Sequence, residues 1–235
     1  MSVAAEIQAI ETRYQRRATA RRQKWYSLMD DYALMADQEK DRALVRMLKF
    51  SGMSERIGER RVLEIGCGGG SNLMRFVRMG FHPQNIVGND LLADRLQESQ
   101  TVLPSAIRLI AGDAADMECI DQPFDIVCAF TVFSSILDDA FQNRLAANIW
   151  RFVKPGGGVL WYDFIYNNPS NPDVHGVPVR RVRELFPCTR PRIKRITLLP
   201  PLGRLITRLH PALYTIFNCM PLARSHVLCW LPKPM

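Results

Sequence analysis

The chain has 235 residues, 47% of them apolar and 23% charged, ordinary values for a folded α/β protein with a full core. No run of about eighteen apolar residues marks a transmembrane helix, and Glu6 and Gln8 break up the apolar block that a signal peptide would need. The net charge of +8 is confined to one region: residues 166–235 hold eleven Lys/Arg against two Asp/Glu, while residues 1–165 hold twenty against twenty-one.

Residues 3–29 read as a helix, because Val3, Ile7, Ile10 and Tyr14 recur at spacings of four, three and four. A second helix is expected over 38–50, and 51–60 is a polar connection with two glycines. From residue 61 short apolar runs alternate with helical segments. Strands are expected at 61–65, 85–89, 107–111, 124–130 and 159–164, with helices at 71–79, 93–103 and 141–153. Lys154-Pro155-Gly156-Gly157-Gly158 reads as a turn into the fifth strand. A loop follows, then a helix from Pro178 to about Phe186, a strand over 192–199, a mainly helical stretch over 202–223 broken by Pro211 and Pro221, and a last strand at 226–231. This alternation predicts a Rossmann-like α/β fold: a seven-stranded, mostly parallel sheet with helices on both faces and the last strand antiparallel. Ligands of such sheets bind at the carboxyl ends of the strands. The six cysteines (67, 119, 128, 188, 219 and 229) include no C-x-x-C pair, and several lie in apolar runs. That pattern fits buried free thiols in a reducing, cytoplasmic compartment better than disulfides or a metal site.

Val62-Leu63-Glu64-Ile65-Gly66-Cys67-Gly68-Gly69-Gly70 joins a strand, a glycine turn and a helix start. Glycine lets the backbone approach a ligand closely and adopt positive φ. The spacing is not that of the dinucleotide fingerprint G-x-G-x-x-G, since position 71 is Ser. An acidic residue at the strand end before G-x-G-x-G suits a ligand with a cationic amino-acid end.

With these motifs the sequence resembles the class I S-adenosylmethionine-dependent methyltransferases over about 60–164. The resemblance implies that Glu64, Gly66, Cys67, Gly68 and Gly70 hold the methionine end of S-adenosylmethionine. Asn89, Asp90 and Leu91 end the second strand, with Asp90 on the ribose hydroxyls. Gly112, Asp113 and Ala114 end the third, with Asp113 on the adenine amino group. Phe130 and Thr131 would line the cofactor, and Lys154-Pro155-Gly156-Gly157 matches the turn before the fifth strand. The implied organisation is one domain over 1–235, with a helical lid at 1–58, a cofactor-binding core at 59–164 and an acceptor-side region at 165–235.

Methyl transfer to a hydroxyl needs alignment, exclusion of water and a base. The candidate catalytic residues are Asp163 and His175. Asp163 can equally tie a loop to a backbone N–H, and His175, on a polar loop, reads first as a solvent-exposed histidine. Phe133, Tyr162, Tyr166, Asn167 and Asn168 are the acceptor-side candidates, because they follow the fourth and fifth strands. The histidine that many relatives carry after the fourth strand is replaced by Thr131-Val132-Phe133-Ser134-Ser135-Ile136. The Asn/Asp-Pro-Pro-aromatic motif of nucleic-acid amino methyltransferases is missing there too.

The segment from Trp161 to Val174, with Leu185-Phe186-Pro187, Leu199-Pro200-Pro201 and Leu222-Ala223-Arg224-Ser225-His226, resembles bacterial methyltransferases of glycan or secondary-metabolite biosynthesis, which implies a small-molecule or glycan acceptor, methylated on a hydroxyl oxygen. The basic last third suits a phosphate-bearing carrier. Leu205, Ile206, Leu209, Leu213 and Ile216 either pack in the core, cap the acceptor or touch a membrane surface. Two other readings stand beside this one. One is a nucleic-acid methyltransferase using the basic third, although no stable nucleic-acid partner is expected. The other is a cofactor-binding module without chemistry.

Overall fold

A computed structural model describes residues 3–17, 27–118, 122–167, 171–187 and 190–235. Helix α1 spans Val3–Arg17 and α2 spans Asp31–Phe50. The helix expected over 3–29 is thus replaced, among the described residues, by α1 and a turn at 27–30. Helix α2 starts well before residue 38 because Asp30 caps it, its side chain accepting from the Ala33 N–H at 2.9 Å.

The remaining elements alternate. They run β1 (Val62–Ile65), α3 (Ser71–Arg78), β2 (Ile86–Asp90), α4 (Ala93–Gln100), β3 (Arg108–Ala111), β4 (Phe124–Phe130), α5 (Asp139–Phe152) and β5 (Val153–Phe164). After them come α6 (Val179–Leu185), β6 (Arg192–Leu198), α7 (Pro200–Thr207), α8 (Ala212–Phe217) and β7 (Arg224–Pro232). The seven strands form one sheet in the order β3-β2-β1-β4-β5-β7-β6. Strands β1 to β5 pair in parallel, and β7 is antiparallel to both β5 and β6. The expected mixed sheet is therefore present. One detail differs: the glycine turn before the fifth strand is absorbed into β5, with Gly156 at φ +77 and a register shift opposite Phe124 and Ile126.

Strand alternation sorts the core into two layers. Leu63, Ile65, Val127, Ala129, Val159 and Trp161 face α1, α5 and α6, whereas Val62, Ile126, Cys128, Phe130, Leu160 and Tyr162 face α2, α3 and α4. A third cluster joins Tyr32 of α2 to Leu198, Ile206 and Tyr214 at the β6 end. Tyr32 lies so close to Gly203 that no side chain fits there, and its hydroxyl donates to the Leu198 carbonyl at 2.8 Å. Since β6 runs parallel to β5, its carboxyl end, with α7 and α8 attached, lies at the same edge of the molecule as the ends of β1, β2 and β4. Cys67, Cys128 and Cys229 are buried free thiols and Cys219 is an exposed one, while Cys119 and Cys188 lie outside the described residues.

Candidate functional site

Where β1, β2, β3 and β4 end, their loops surround a cavity of about 70 Å³. Its walls include Gly66, Asn89, Asp90, Leu91, Gly112, Asp113 and Ala114, all expected from the sequence. Gly66 has φ +69, and a Cβ there would stand 2.7 Å from Val132 Cγ2. The β1 turn can therefore lie against the β4 loop only as glycine. Asp90 ties the turn together: Oδ2 accepts from the Gly68 N–H at 2.7 Å and Oδ1 from the Leu92 N–H at 3.0 Å. Arg95 Nη1 stands 3.9 Å from Oδ2 as an ion-pair partner. Asn89 donates to the Ile110 and Gly112 carbonyls at 3.1 and 3.0 Å, which clamps the β3 loop to β2. Asp113 accepts from the Ala115 N–H at 2.8 Å and pairs with Arg144 of α5 at 3.0 Å. Partial burial still pushes its carboxyl above the usual range.

Ile10, Ile65, Leu92, Val132, Ser135, Ile136, Phe141 and Leu145 complete the walls. Sequence reasoning did not assign them to the site, because they are apolar or small and come from α1, β1, the β2 loop, the β4 loop and α5. Only the capping pattern Asp138–Phe141 at the start of α5 hints at that helix's approach, with the Asp138 side chain accepting from the Phe141 N–H at 2.8 Å.

Six residues expected at the cofactor stand outside the cavity lining. Phe130 is corrected by strand alternation: its side chain lies on the opposite layer, stacked on Phe76 at 6.4 Å and edge-on to Tyr162 at 6.2 Å. Thr131 occupies the left-handed region at φ +55 and turns its Oγ1 back to the Phe130 carbonyl at 2.7 Å. Cys67 packs in the α3 layer, and Gly70 is the N-cap of α3 at φ +78. Gly68 presents its N–H to Asp90 rather than to the cavity.

Glu64 is fully buried beneath the glycine turn. Its Oε1 accepts from Asn72 Nδ2 at 2.6 Å, and its Oε2 has no hydrogen-bond partner. Asn72 Oδ1 in turn accepts from Lys40 Nζ at 3.0 Å, and Arg75 is held by Asp37 and Asp41. Lys40 also stands 4.7 Å from the ring centres of both Phe130 and Tyr162. Burial pushes the Glu64 carboxyl up and the Lys40 ammonium down. Lys40 was invisible to motif reading, since nothing in its sequence spacing points inward.

The acceptor-side candidates separate. Phe133 is 1% exposed and its ring lies 4.4 Å from that of Trp161. Tyr162 bonds Thr197 Oγ1 at 2.9 Å and stacks on His226 at 4.9 Å. Both are therefore core residues, because the strand and turn that carry them bury these positions. Tyr166 is exposed, and its hydroxyl accepts from Arg195 at 3.4 Å. Asn167 accepts from the Gly176 N–H at 2.9 Å, and Asn168 lies outside the described residues. Asp163 is 1% exposed; its Oδ2 accepts from the Ser134 N–H at 3.0 Å and its Oδ1 from the Phe164 N–H at 2.9 Å. Burial pushes this carboxyl up to about 7 against those hydrogen bonds.

His175 is exposed and its N–H donates to the Ser134 carbonyl at 2.9 Å. It lines a second, open cavity of about 390 Å³ with Ile136, Leu137, Gln142, Asn167, Val177 and Arg181. Ile136 belongs to both cavities, so the two adjoin. Tyr32 of α2 packs against Ile206 and Gly203 of α7, away from both cavities.

Residues 62–157 match the family model described as a methyltransferase domain. Among curated proteins, the chain is 28% identical over 162 residues to phthiotriol/phenolphthiotriol dimycocerosates methyltransferase 1 of Mycobacterium ulcerans, covering 66% of this chain and 57% of that one. It is 30% identical over 131 residues to the fatty-acid O-methyltransferase of Mycolicibacterium smegmatis, covering 55% and 46%. The chain thus spans about half the length of the curated relatives it matches. Among solved structures, magnesium protoporphyrin IX methyltransferase from Synechocystis with bound S-adenosylhomocysteine superposes with a TM-score of 0.60 at 11% identity, covering 89% and 91%. The fold is that of S-adenosylmethionine-dependent methyltransferases.

Proposed function

We propose that this chain uses its methyltransferase domain to transfer a methyl group from S-adenosylmethionine to an oxygen of a small amphipathic acceptor. The residues at the strand ends fit that cofactor. Asp90 lines the cavity as a carboxylate acceptor for a ribose diol, and Asp113 with Ala114 borders an apolar slot walled by Phe141 and Leu145 that suits an adenine. Glu64 lies outside the cavity and supports the glycine turn from below through Asn72 of α3. Bound in the cavity, the cofactor supplies a methyl group on a positively charged sulfur.

The observation that carries the acceptor class is the open cavity of about 390 Å³ next to the cofactor cavity. It is large enough for a small-molecule site of about 300–1,000 Å³. Its lining pairs an apolar side (Ile136, Leu137, Val177) with polar groups (His175, Asn167, Arg181). With the cofactor bound, the acceptor oxygen would take the methyl group from the sulfonium, leaving a neutral thioether, and the His175 imidazole would take the acceptor proton. Asp163 is a positioning residue here: it fixes the Ser134 N–H, and Ser134 O holds the His175 backbone. Helix α1 acts as the lid. Its support is Ile10 in the cavity wall and Glu6, whose Oε1 accepts from the Leu137 N–H at 3.1 Å.

The names of the two curated relatives favour a lipid-type acceptor over a free sugar. The glycan and phosphate-bearing acceptors implied by the sequence fit the same cavity where they carry an apolar tail. The nucleic-acid reading loses weight because several cations of the basic third are engaged within the fold. Lys233 Nζ donates to the Trp150 and Val153 carbonyls, and Arg224 to those of Asn218 and Arg195.

The deciding experiment incubates the protein with tritium-labelled S-adenosylmethionine and an extract of its source cells, then separates organic-soluble, aqueous small-molecule, protein and nucleic-acid fractions. Label in the organic-soluble fraction is expected, released by alkali if an ester and retained if an ether. Label in the aqueous sugar fraction would move the acceptor to a glycan, and label released by nuclease would overturn the reading.

A further inference from the structure

Large apolar side chains stand in water at one place on the molecule more than elsewhere among the described residues. Leu205, Leu209, Ile216, Met220 and Leu222 are all exposed within one short stretch, Leu209 at 78% and Leu222 at 81%. Leu205 is exposed on α7 beside the buried Ile206, Leu209 is exposed in the turn that follows the helix, and on α8 Ile216 turns away from the buried Tyr214. A contiguous apolar patch of this kind marks an interaction surface.

Its charge surroundings point to the partner. Residues 185–235 contain eight Lys/Arg and no Asp or Glu; of these Arg204, Arg208 and Arg224 belong to the stretch 199–224, and Arg224 is bonded to the Asn218 and Arg195 carbonyls. Arg208 is exposed at the carboxyl cap of α7, next to Leu209, and Arg204 lies 5.2 Å from the Tyr32 ring at the α2 contact. Of the nearest carboxylates, on and before α2, Glu39 is taken up by the Thr197 N–H and the Tyr214 hydroxyl, and Asp30 by its own helix cap; Asp31 is exposed at that helix start. Leucine and isoleucine beside arginine, without interspersed acids, is the composition of an interfacial element on an anionic lipid surface. Topology adds a reason for the location. Strand β6 delivers α7 and α8 to the carboxyl edge of the sheet, the edge that holds both cavities.

We propose that α7, α8 and the turn before β7 form a docking surface for anionic lipid bilayers, with the apolar side chains entering the interface and the arginines meeting the headgroups. This deepens the amphipathic-acceptor reading, since an acceptor dissolved in the same bilayer would be presented at the catalytic edge. Docking needs neither acceptor nor turnover, so the two readings fail separately.

The test is cosedimentation of the full chain with vesicles of phosphatidylcholine alone and of phosphatidylcholine mixed with phosphatidylglycerol. Binding to the mixed vesicles is expected, weakened by high salt. The variant Leu209→Ser/Leu222→Ser is expected to bind about tenfold or more weakly, with wild-type melting temperature and cofactor affinity, because both side chains are exposed. Four results would overturn the proposal: no sedimentation, equal binding to phosphatidylcholine alone, equal binding by the variant, or a wild-type dimer that the variant dissolves. The last would assign the patch to a second copy of the chain.

Discussion

Asp90 carries two duties that its position in the sequence did not reveal together. The motif places it at the end of β2, where a ribose diol would meet it, and the structure adds that it holds the Gly68 and Leu92 N–H groups. Asp90→Ala is therefore expected to lower cofactor affinity by about tenfold to a hundredfold, since a hydrogen bond to a charged group contributes about 1.5–3 kcal/mol. It should also lower the melting temperature, because two backbone donors lose their acceptor. Calorimetric titration beside a thermal melt separates the two effects, and unchanged affinity would remove Asp90 from the site. Asp163 offers the reverse contrast. Asp163→Asn keeps one acceptor but sets an amide N–H₂ against a backbone N–H, which costs about 1–3 kcal/mol in a buried place. The expected result is a lower melting temperature with cofactor affinity unchanged. A large loss of turnover at unchanged stability would make Asp163 the base instead.

Helix α1 is legible as a helix from its apolar spacing, but not as a wall of the cofactor cavity. Its attachment is narrow: Glu6 is buried and receives Arg13 Nη2 at 2.6 Å and the Leu137 N–H, while Glu6 Oε2 has no partner. A cavity of about 70 Å³ is smaller than ligand sites of about 300 Å³ and more, so in the lid reading proposed above α1 would swing out to admit the cofactor. Glu6→Ala is expected to raise the cofactor's dissociation rate several-fold while sparing the melting temperature of the sheet. Stopped-flow displacement is the measurement, and an unchanged rate would reduce α1 to ordinary packing. The strands teach a different lesson. Strand β4 was legible to the residue and β5 at its carboxyl end but not over 153–158, yet Phe130 and Tyr162 face α2 rather than the cavity. Which layer of a parallel sheet meets the cavity depends on where the covering helices cross, and both layers are equally apolar in the sequence.

The whole molecule couples its stability to pH through groups far apart in the chain. In the unfolded chain His226 takes up its proton near 6.5; in the fold, burial and then the charge of Lys40 hold it down to about 3. The unfolded state therefore binds more protons between these values, and this contribution, complete above pH 6.5, is lost as the pH falls towards 3. Asp163 acts in the opposite sense. Burial raises it from 3.8 to about 7, so its contribution is complete below 3.8 and is lost as the pH rises through 7. The two slopes oppose each other between pH 3.8 and 6.5. Replacing His226 by Asn should thus shift the melting temperature relative to wild type progressively upward as the pH falls from 6.5. A pH-independent offset would show that His226 does not govern the acid limb.

What the sequence determined by itself was the local and periodic part: the strand–helix alternation, the glycine turn, and the acidic residues that close β2 and β3. Those features are set by backbone sterics and by which side chains can end a strand or start a helix, and they need no knowledge of distant contacts. The tertiary structure alone decided the rest. It brought Ile10 and Ile136 to the cavity at the strand ends, sent Lys40 under Glu64, buried Phe133 and Tyr162, and left Leu209 and Leu222 in water. An apolar or charged side chain looks the same in sequence whether a neighbour covers it or not, and only the packing of remote elements settles which.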